Sequence, residues 1–539
     1  MGYIMASMKF DVISIASFAA DDPACARFVL YAQHVRPVLE ERSPELDAMY
    51  APIMGRPELP PALLVGIILL QMMERVGDRE AVNLCRYDFR WRLALNITDD
   101  EVKINASTLS VFRGRLAKHD KSRMVLDAAL DAMRRVGYLK RKGAVRIDST
   151  HVLGCLARLS RLECVRETLR LTLDFLKELG GIAAWEPWIG RHDDEIRALK
   201  KGNLDKPQLE RHMMRAGADI RDVLAKADKL GSVVAQSQPV SLLRRVFNEN
   251  FEITETDALI QLEAQPPGAV CNPHDQEAQW STKGATGKAG WVGWKTQVCE
   301  TIPEALCAKG EPTAAVITTV VTQPAITSDH GSLTPVIEAH VLNGQSAPDI
   351  AHTDAGYISG PELVRTEEKG FELCGPAPAP PHSGGDRFGT DSFNVDLTKR
   401  TAICPAGKIS SACSKITEKR DNRTYYYFEW AKADCLVCPL RDKCVSKKNK
   451  LAQRTIQAGE FHDYVQARRE LCKTPEYQER MHMRNAIEGT NSELKRGYGL
   501  GHARYRGLKR TDIQMQYTAA ACNIRRWANR LCWLAKKAA

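Results

Sequence analysis

Arg484, Glu488, Asn491 and Lys495 follow the spacing i, i+4, i+7, i+11, which on a helix lines all four along one face. A carboxylate between two cations suits a bound metal ion with a phosphate held beside it. Two aspartates upstream stand where that carboxylate would need partners. Asp148 ends the apolar run Ala144-Val145-Arg146-Ile147, and Asp354 ends Asp349-Ile350-Ala351-His352-Thr353. Three carboxylates in one place repel each other unless cations neutralise them. Two divalent ions about 3.5–4 Å apart are the usual arrangement for moving a phosphodiester. One lowers the pKa of an attacking water or 3′-hydroxyl and the other stabilises the leaving oxygen. Hard oxygen ligands select Mg²⁺ or Mn²⁺. Singly, each aspartate reads as a turn or helix cap, and the stripe reads as a solvated helix face. The order and placement of all three together favour catalysis.

The elements that must position these groups are legible in outline. Residues 60–140 read as helical: an apolar helix after Pro60-Pro61, an amphipathic segment from Arg79 to Leu95, and a third helix from Ser107. Arg113, Arg115, Lys118 and Lys121 near the last one suit a helix-turn-helix-like DNA reader, or the solvated basic face of a helical bundle. Residues 1 to about 55 read as an irregular lead-in. Strands are expected at Ala144–Asp148, Trp294–Cys299, Ala314–Thr322 and Asp349–Asp354, and a fifth near Phe371–Cys374. Helices are expected at Leu333–Leu342 and Pro361–Lys369, and a long helical stretch, Leu-, Arg-, Lys- and Glu-rich, over about 158–262. That order is α/β with a mixed sheet. A Pro-rich linker from Gly375 to Pro381 leads to a Cys-containing segment, then the helix bearing Glu488, then a basic helix from about Thr511 to Ala535.

The 539 residues carry a formal net charge of +10, which favours a polyanionic partner only weakly. The distribution says more: from Arg484 onward there are twelve Lys/Arg against three Asp/Glu. Arg504, Arg506, Lys509 and Arg510 make a basic loop suited to phosphate contact. No apolar run approaches the roughly 20 residues of a membrane span, and the mild patch Val12–Ala20 does not read as a signal peptide. Sixteen cysteines without a secretion signal argue for a reducing compartment, as thiols or metal ligands. Cys435 and Cys438 form a Cys-x2-Cys pair, and Cys404 and Cys444 could complete a tetrahedral structural Zn²⁺ site, with Cys413 as a rival ligand. The alternative is reduced thiols in a small β insert. His151 and His352 flank the aspartates, either supporting them or as satisfied structural histidines.

Ile147-Asp148-Ser149-Thr150, Thr353-Asp354-Ala355-Gly356-Tyr357, and Arg484, Glu488 and Lys495 together resemble DDE-type insertion-sequence transposases of the bacterial Tyr-x2-Arg-x3-Glu-x6-Lys signature type. Pro273–Trp280, Gly293-Trp294-Lys295 and the helical segment from Arg56 are similar as well. One departure is plain: the signature tyrosine position is Met481. The resemblance implies a ribonuclease-H-like mixed sheet over 141–375 and 470–539, with a helical insert at 158–262. It also implies a helical N-terminal DNA-binding-like domain over 1–140 and a Cys-containing β insert over 376–469. It implies cleavage at element ends and strand transfer into target DNA, with Asp148, Asp354 and Glu488 on two Mg²⁺ or Mn²⁺ ions. Arg484, Lys495, Arg113, Arg115, Arg504 and Arg506 are the expected DNA or phosphate contacts. A homodimer on paired double-stranded ends and a bacterial cytoplasmic, nucleoid-associated setting are implied too. Some relatives stack an aromatic ring on a displaced base, a role for which Trp280, Trp291 and Trp294 are candidates, with packing as the alternative. The competing functions are a repurposed, catalytically inactive DNA-binding protein derived from a transposase, and a nuclease without strand transfer.

Overall fold

The computed structural model describes residues 23–50, 59–97, 104–199, 205–283, 289–304, 307, 310–380, 387–418, 423–445 and 452–538. The patch Val12–Ala20, Arg56 and Pro381 lie outside these residues. At the centre is a mixed sheet of β1 (Val145–Leu153), β2 (Ala289–Thr301), β3 (Ile317–Pro324), β4 (Ile350–His352) and β5 (Glu372–Cys374). Its spatial order is β3-β2-β1-β4-β5. β1 runs antiparallel to β2 and parallel to β4, and β5 is parallel to β4. This is the ribonuclease-H-like arrangement. The strand Gln279–Lys283 pairs with the outer half of β2.

β1 is longer than its apolar run suggests, so Asp148 lies mid-strand and does not end it. The polar stretch Ser149-Thr150-His151 hides the continuation, which nine cross-strand pairs with β2 enforce. Where β2 crosses the end of β1, Gly293 has φ +151°, and a Cβ there would meet the Val152 carbonyl oxygen at 2.1 Å, so only glycine fits. Strand alternation gives β1 two different faces. Val145 and Ile147 pack with Leu333, Val336, Ile337 and Leu363. Arg146, Asp148, Thr150 and Val152 face the other way.

The N-terminal region is helical from Pro23, a correction to the irregular lead-in: Pro23–Leu30, Arg36–Glu41 and Ser43–Asp47 are helices that bury Phe28, Leu39 and Leu46. Next come α1 (Pro61–Glu74) and α2 (Asp78–Tyr87). The segment Arg79–Leu95 is therefore two helices. Asp88 splits it, its carboxylate accepting the N–H groups of Arg90 and Trp91 to cap Phe89–Leu95. α3 (Ala106–Lys118) and α4 (Met124–Arg135) follow. These helices share one continuous apolar core with the sheet and with the C-terminal helix.

Between β1 and β2, α5 (Arg161–Gly180), α6 (Lys206–Asp228) and α7 (Gln238–Asn248) pack around a separate core containing Val165, Leu169, Ile220 and Leu243. Ser160 starts α5 with a capping box through Glu163. The expected long helical stretch thus resolves into several helices and a hairpin, Phe251–Ile253 with Leu259–Gln261.

α8 (Leu333–Leu342) and α9 (Gly360–Glu368) flank the sheet. Residues 387–459 form a small module of a two-stranded and a three-stranded sheet around Phe393, Phe428, Trp430 and Ile456. After it come α10 (Pro475–His482), α11 (Ala486–Tyr498) and α12 (Leu508–Ala538). Gly499 closes α11 in the left-handed conformation, φ +73°. Among the described residues β3 pairs with β2 alone, and α12 side chains satisfy backbone groups of β3. Asn523 bonds both the N–H and the carbonyl of Ile317, and Gln516 donates to the Val320 carbonyl.

Candidate active site

The register of the sheet brings the two aspartates together. β1 and β4 are parallel with Arg146 opposite His352, so two residues farther along, Asp148 and Asp354 are neighbours. Asp354 sits in the turn after β4, where its Oδ1 accepts the Gly356 N–H at 2.8 Å. Burial is the largest influence on Asp148 and raises its pKa above the ordinary aspartate value. The Arg484 guanidinium opposes this, and the nearby Asp354 charge adds to it.

The helix side closes over Asp148. Asn491 Nδ2 donates to Asp148 Oδ2 at 3.1 Å, and Arg484 Nη2 stands 3.4 Å from Oδ1. Arg484 precedes α11 rather than lying within it, yet its other arm reaches Glu488 Oε1 at 3.7 Å. Arg484 therefore bridges Asp148 and Glu488. The Glu488 side chain is 68% exposed, in contrast to 13% for Asp148. Asn491 Oδ1 is buried with no hydrogen-bond partner, an additional hard oxygen donor next to Asp148. Among the described residues no group of three or more His, Cys, Asp or Glu side chains is arranged to hold a metal ion.

A cleft of about 390 Å³ opens beside Asp354, lined also by Thr353, Pro376, Met481, Arg484 and Asn485. Met481 thus sits in the cleft wall at the signature tyrosine position.

Sequence reasoning missed a polar network behind Asp354. Tyr357, fully buried, donates its hydroxyl to Gln297 Oε1. Gln297 Nε2 and Lys295 Nζ each reach Asp329 Oδ1 at 3.2 Å. Asp329 and Asp354 both crowd Gly356: a Cβ at that position would sit 3.0 Å from Asp354 Oδ1 and 3.4 Å from Asp329 Cβ. The sequence signal was the alternation Lys295–Gln297, two polar side chains on one face of β2.

Several expected contacts are placed differently. Arg113 is buried, paired with Asp78 and stacked 4.7 Å over Tyr505, so it braces α2 and α3 and is not presented at the surface. Arg115 lies 4.2 Å over the Tyr50 ring. Trp294 is fully buried, which excludes it as a stacking platform; Trp291 packs on His151. Trp280 keeps an exposed edge with Arg158 over its ring at 4.3 Å. His352 is buried, its pKa pushed down to about 4 mainly by desolvation, which makes it a neutral packing residue. Lys495 is half-buried beside Gly501. Arg504 and Arg506 are exposed, Arg504 also donating to the Val76 carbonyl at 2.9 Å.

In the small module, Cys404, Cys435, Cys438 and Cys444 line one cavity with Lys408, Arg441 and Arg454. Cys413 is not among the lining residues. The Lys408 N–H points at Cys404 Sγ, 3.4 Å away. Arg441 and Arg454 hold the carbonyls of Cys435 and Cys444.

Among the described residues no helix is long and apolar enough to cross a membrane. Neither a curated protein nor a solved structure matches the chain. Two family models do: residues 25–115 match a transposase domain (DUF772), and residues 403–528 match a transposase DDE domain. The second match takes in the cysteine module and α11 with Glu488, while Asp148 and Asp354 lie before it. One match falls on the N-terminal helices and the other on the segment that holds α11, and together they indicate an insertion-sequence transposase of the DDE type.

Proposed function

We propose that this transposase cleaves DNA at the ends of its element and joins the freed 3′-hydroxyl to target DNA, with Asp148, Asp354 and Glu488 as the catalytic carboxylates. The observation that carries this reading is the convergence on Asp148. Sheet register brings Asp354 beside it, and α11 brings Arg484 and Asn491 into contact with it while Glu488 hangs from Arg484. DDE transposases generally use divalent metal ions, and the donor set fits Mg²⁺ or Mn²⁺: two neighbouring carboxylates, an unpartnered buried amide oxygen on Asn491, and a mobile-length carboxylate on Glu488. Such ions would activate the attacking oxygen and stabilise the leaving one.

The protein's own groups do the rest. Asp148 must be ionised to take part, and Arg484 favours that form against the burial that opposes it. Arg484 now pairs with both carboxylates; a cation shared by Asp148 and Glu488 would release its guanidinium toward a DNA phosphate. The cleft beside Asp354 is where a strand end would lie. In the first step a water oxygen attacks the phosphorus and the 3′-oxygen of the element leaves. In the second, that 3′-hydroxyl attacks a target phosphorus and the target 3′-oxygen leaves. Lys495, Arg504 and Arg506 would hold phosphates, and Arg115 would do so at its exposed edge. A homodimer on paired ends fits this chemistry.

We also propose that Cys404, Cys435, Cys438 and Cys444 hold a structural Zn²⁺. Their common cavity supports this, as do the N–H directed at Cys404 and the flanking cations that would balance a tetrathiolate.

The test of function is Mg²⁺- or Mn²⁺-dependent cleavage of a labelled duplex carrying the DNA that flanks the gene. Wild type is compared with Glu488→Gln and Asp354→Asn. Cleavage at a defined end, lost in both variants, supports the proposal. Binding without cleavage, the same in all three proteins, overturns it in favour of a DNA-binding protein derived from a transposase.

A further inference from the structure

Behind α11, on the side away from Glu488, lies a buried cluster of charges. Glu300 on β2 is fully buried. It stands directly opposite Arg146 of β1 and accepts Arg146 Nε at 2.6 Å. Arg526 of α12 donates to its other oxygen at 2.9 Å. The Thr490 hydroxyl of α11 reaches both Glu300 oxygens, at 2.9 and 2.8 Å, and receives Arg526 Nη2 at 2.6 Å. Arg526 also clamps Glu493 through Nε and Nη2, at 2.9 and 2.8 Å. Arg146 Nη1 extends to the Met483 carbonyl at 3.4 Å, one residue before Arg484. Two cations and two anions thus balance.

Taking such charges out of water is costly, and an apolar filling of the same space is often at least as stable. What directional bonds add is register. The rest of the buried face of α11 is Ile487, Leu494 and Tyr498, which would tolerate sliding or rotation. The cluster grips the segment at Met483, Thr490 and Glu493, bracketing Arg484, Glu488 and Asn491. Arg146 and Glu300 each stand two residues from the Asp148–Val298 pair, on the same sheet face. We infer that Glu300, Arg526, Arg146 and Thr490 are positioning residues that fix α11, and through it Glu488, against the strand aspartates.

The inference rests on the proposed catalytic role of Glu488, and its test separates the two. Thr490→Val is isosteric and removes only the hydroxyl joining Glu300 to Arg526; Thr490→Ser restores it. Arg526→Lys, which keeps the charge but loses the fork, serves as a second variant if valine impairs folding. Two readouts on the full chain decide. Amide hydrogen exchange over 486–498 is expected to quicken about tenfold in Thr490→Val, with β1 and α8 amides unchanged and Thr490→Ser like wild type. The Mg²⁺ concentration giving half-maximal cleavage is expected to rise about tenfold, again rescued by serine. Unchanged exchange in α11 overturns the inference, and so does a uniform rise across the chain, which would mark general stabilisation. Quickened exchange with an unchanged Mg²⁺ requirement breaks the link to Glu488. If wild type does not cleave, the catalytic proposal falls while the exchange result still decides whether the cluster fixes α11.

Discussion

The two sides of the candidate site are built by different means. Asp148 stands on β1 and Asp354 in the turn just after the adjacent β4, so the backbone ladder between the two strands sets their spacing; Asp148 is largely enclosed and Asp354 borders the cleft. Glu488 stands in the first turn of a helix, mostly exposed, and is joined to Asp148 on the strand side through Arg484. Backbone pairing fixes position at every residue. A helix packed on a sheet has no such ladder, so its register falls to side chains: Asn491 in front and the Glu300–Arg526–Thr490 cluster behind. The comparison teaches that the strand half should resist perturbation of its surroundings and the helix half should be adjustable.

The largest expected effect tests the strand half. Asp148→Asn should lower the cleavage rate by about a thousandfold, the equivalent of several kcal/mol of lost charge stabilisation. The same change should stabilise the fold at neutral pH. The folded-state pKa of Asp148 is raised by burial, so its contribution favours folding below the unfolded-state value and is lost as pH rises through the folded value. A thermal melt at pH 7 should therefore show a higher Tm for Asp148→Asn, with the gap closing in acid. Equal Tm at both pH values would contradict the enclosed-carboxylate picture.

Next in size is a contrast between buried and exposed arginines. Arg113→Ala leaves Asp78 with the Gln71 amide but no cation, in a mostly enclosed pair, and should cost about 3 kcal/mol in denaturant unfolding. Arg506→Ala should leave unfolding alone, weaken DNA binding a few-fold for any sequence, and lower the salt slope by about one. If Arg113→Ala instead acts on DNA affinity alone, its assignment as a brace fails.

A smaller effect separates the two halves by pH. As pH falls through the raised pKa of Asp148, protons compete for that ligand, so the Mg²⁺ needed for half-maximal cleavage should climb at a pH above the ordinary aspartate range. In Glu488→Asp, the pH at which the requirement climbs should stay put while the requirement itself shifts upward at every pH. A moved pH midpoint would place the titrating group on the helix.

The smallest expected effect on catalysis is at the cysteine module. Elemental analysis of purified protein should find about one zinc per chain, lost in Cys438→Ser and kept in Cys413→Ser, with lowered stability of residues 387–459 to proteolysis in the former. Zinc retained in Cys438→Ser would remove that residue from the ligand set.

Much of the molecule was legible before folding. The helix Leu333–Leu342 appears with those bounds, because an apolar decapeptide between turns has one natural reading. The order of strands was readable too, since short runs bounded by turns or helices, such as Ala144–Asp148 and Ala314–Thr322, suit the strands of a buried sheet. The length of β1 was not, because its site residues are polar. The N-terminal helices 23–47 were missed because Pro23, Pro37 and Pro44 punctuate the segment; each sits in the first turn of a short helix, so no one helical period runs through it. The arginines of α3 looked like a DNA face because a sequence shows charge without showing its partner, and Asp78 and Tyr505 are those partners.

By itself the sequence determined the chemistry available: three carboxylates, the cations beside one of them, four cysteines at metal-ligand spacing, and a C-terminal excess of positive charge. Local spacing carries such information because helix and strand periods are fixed. Tertiary structure alone decided which groups meet. It brought Asp354 to Asp148 through parallel register, joined Arg484 to two carboxylates, and buried Arg146, Glu300 and Arg526 together across residues far apart in the chain. The reason is physical: a long-range contact depends on how strands pair and helices pack, and no single segment encodes the partner it will find.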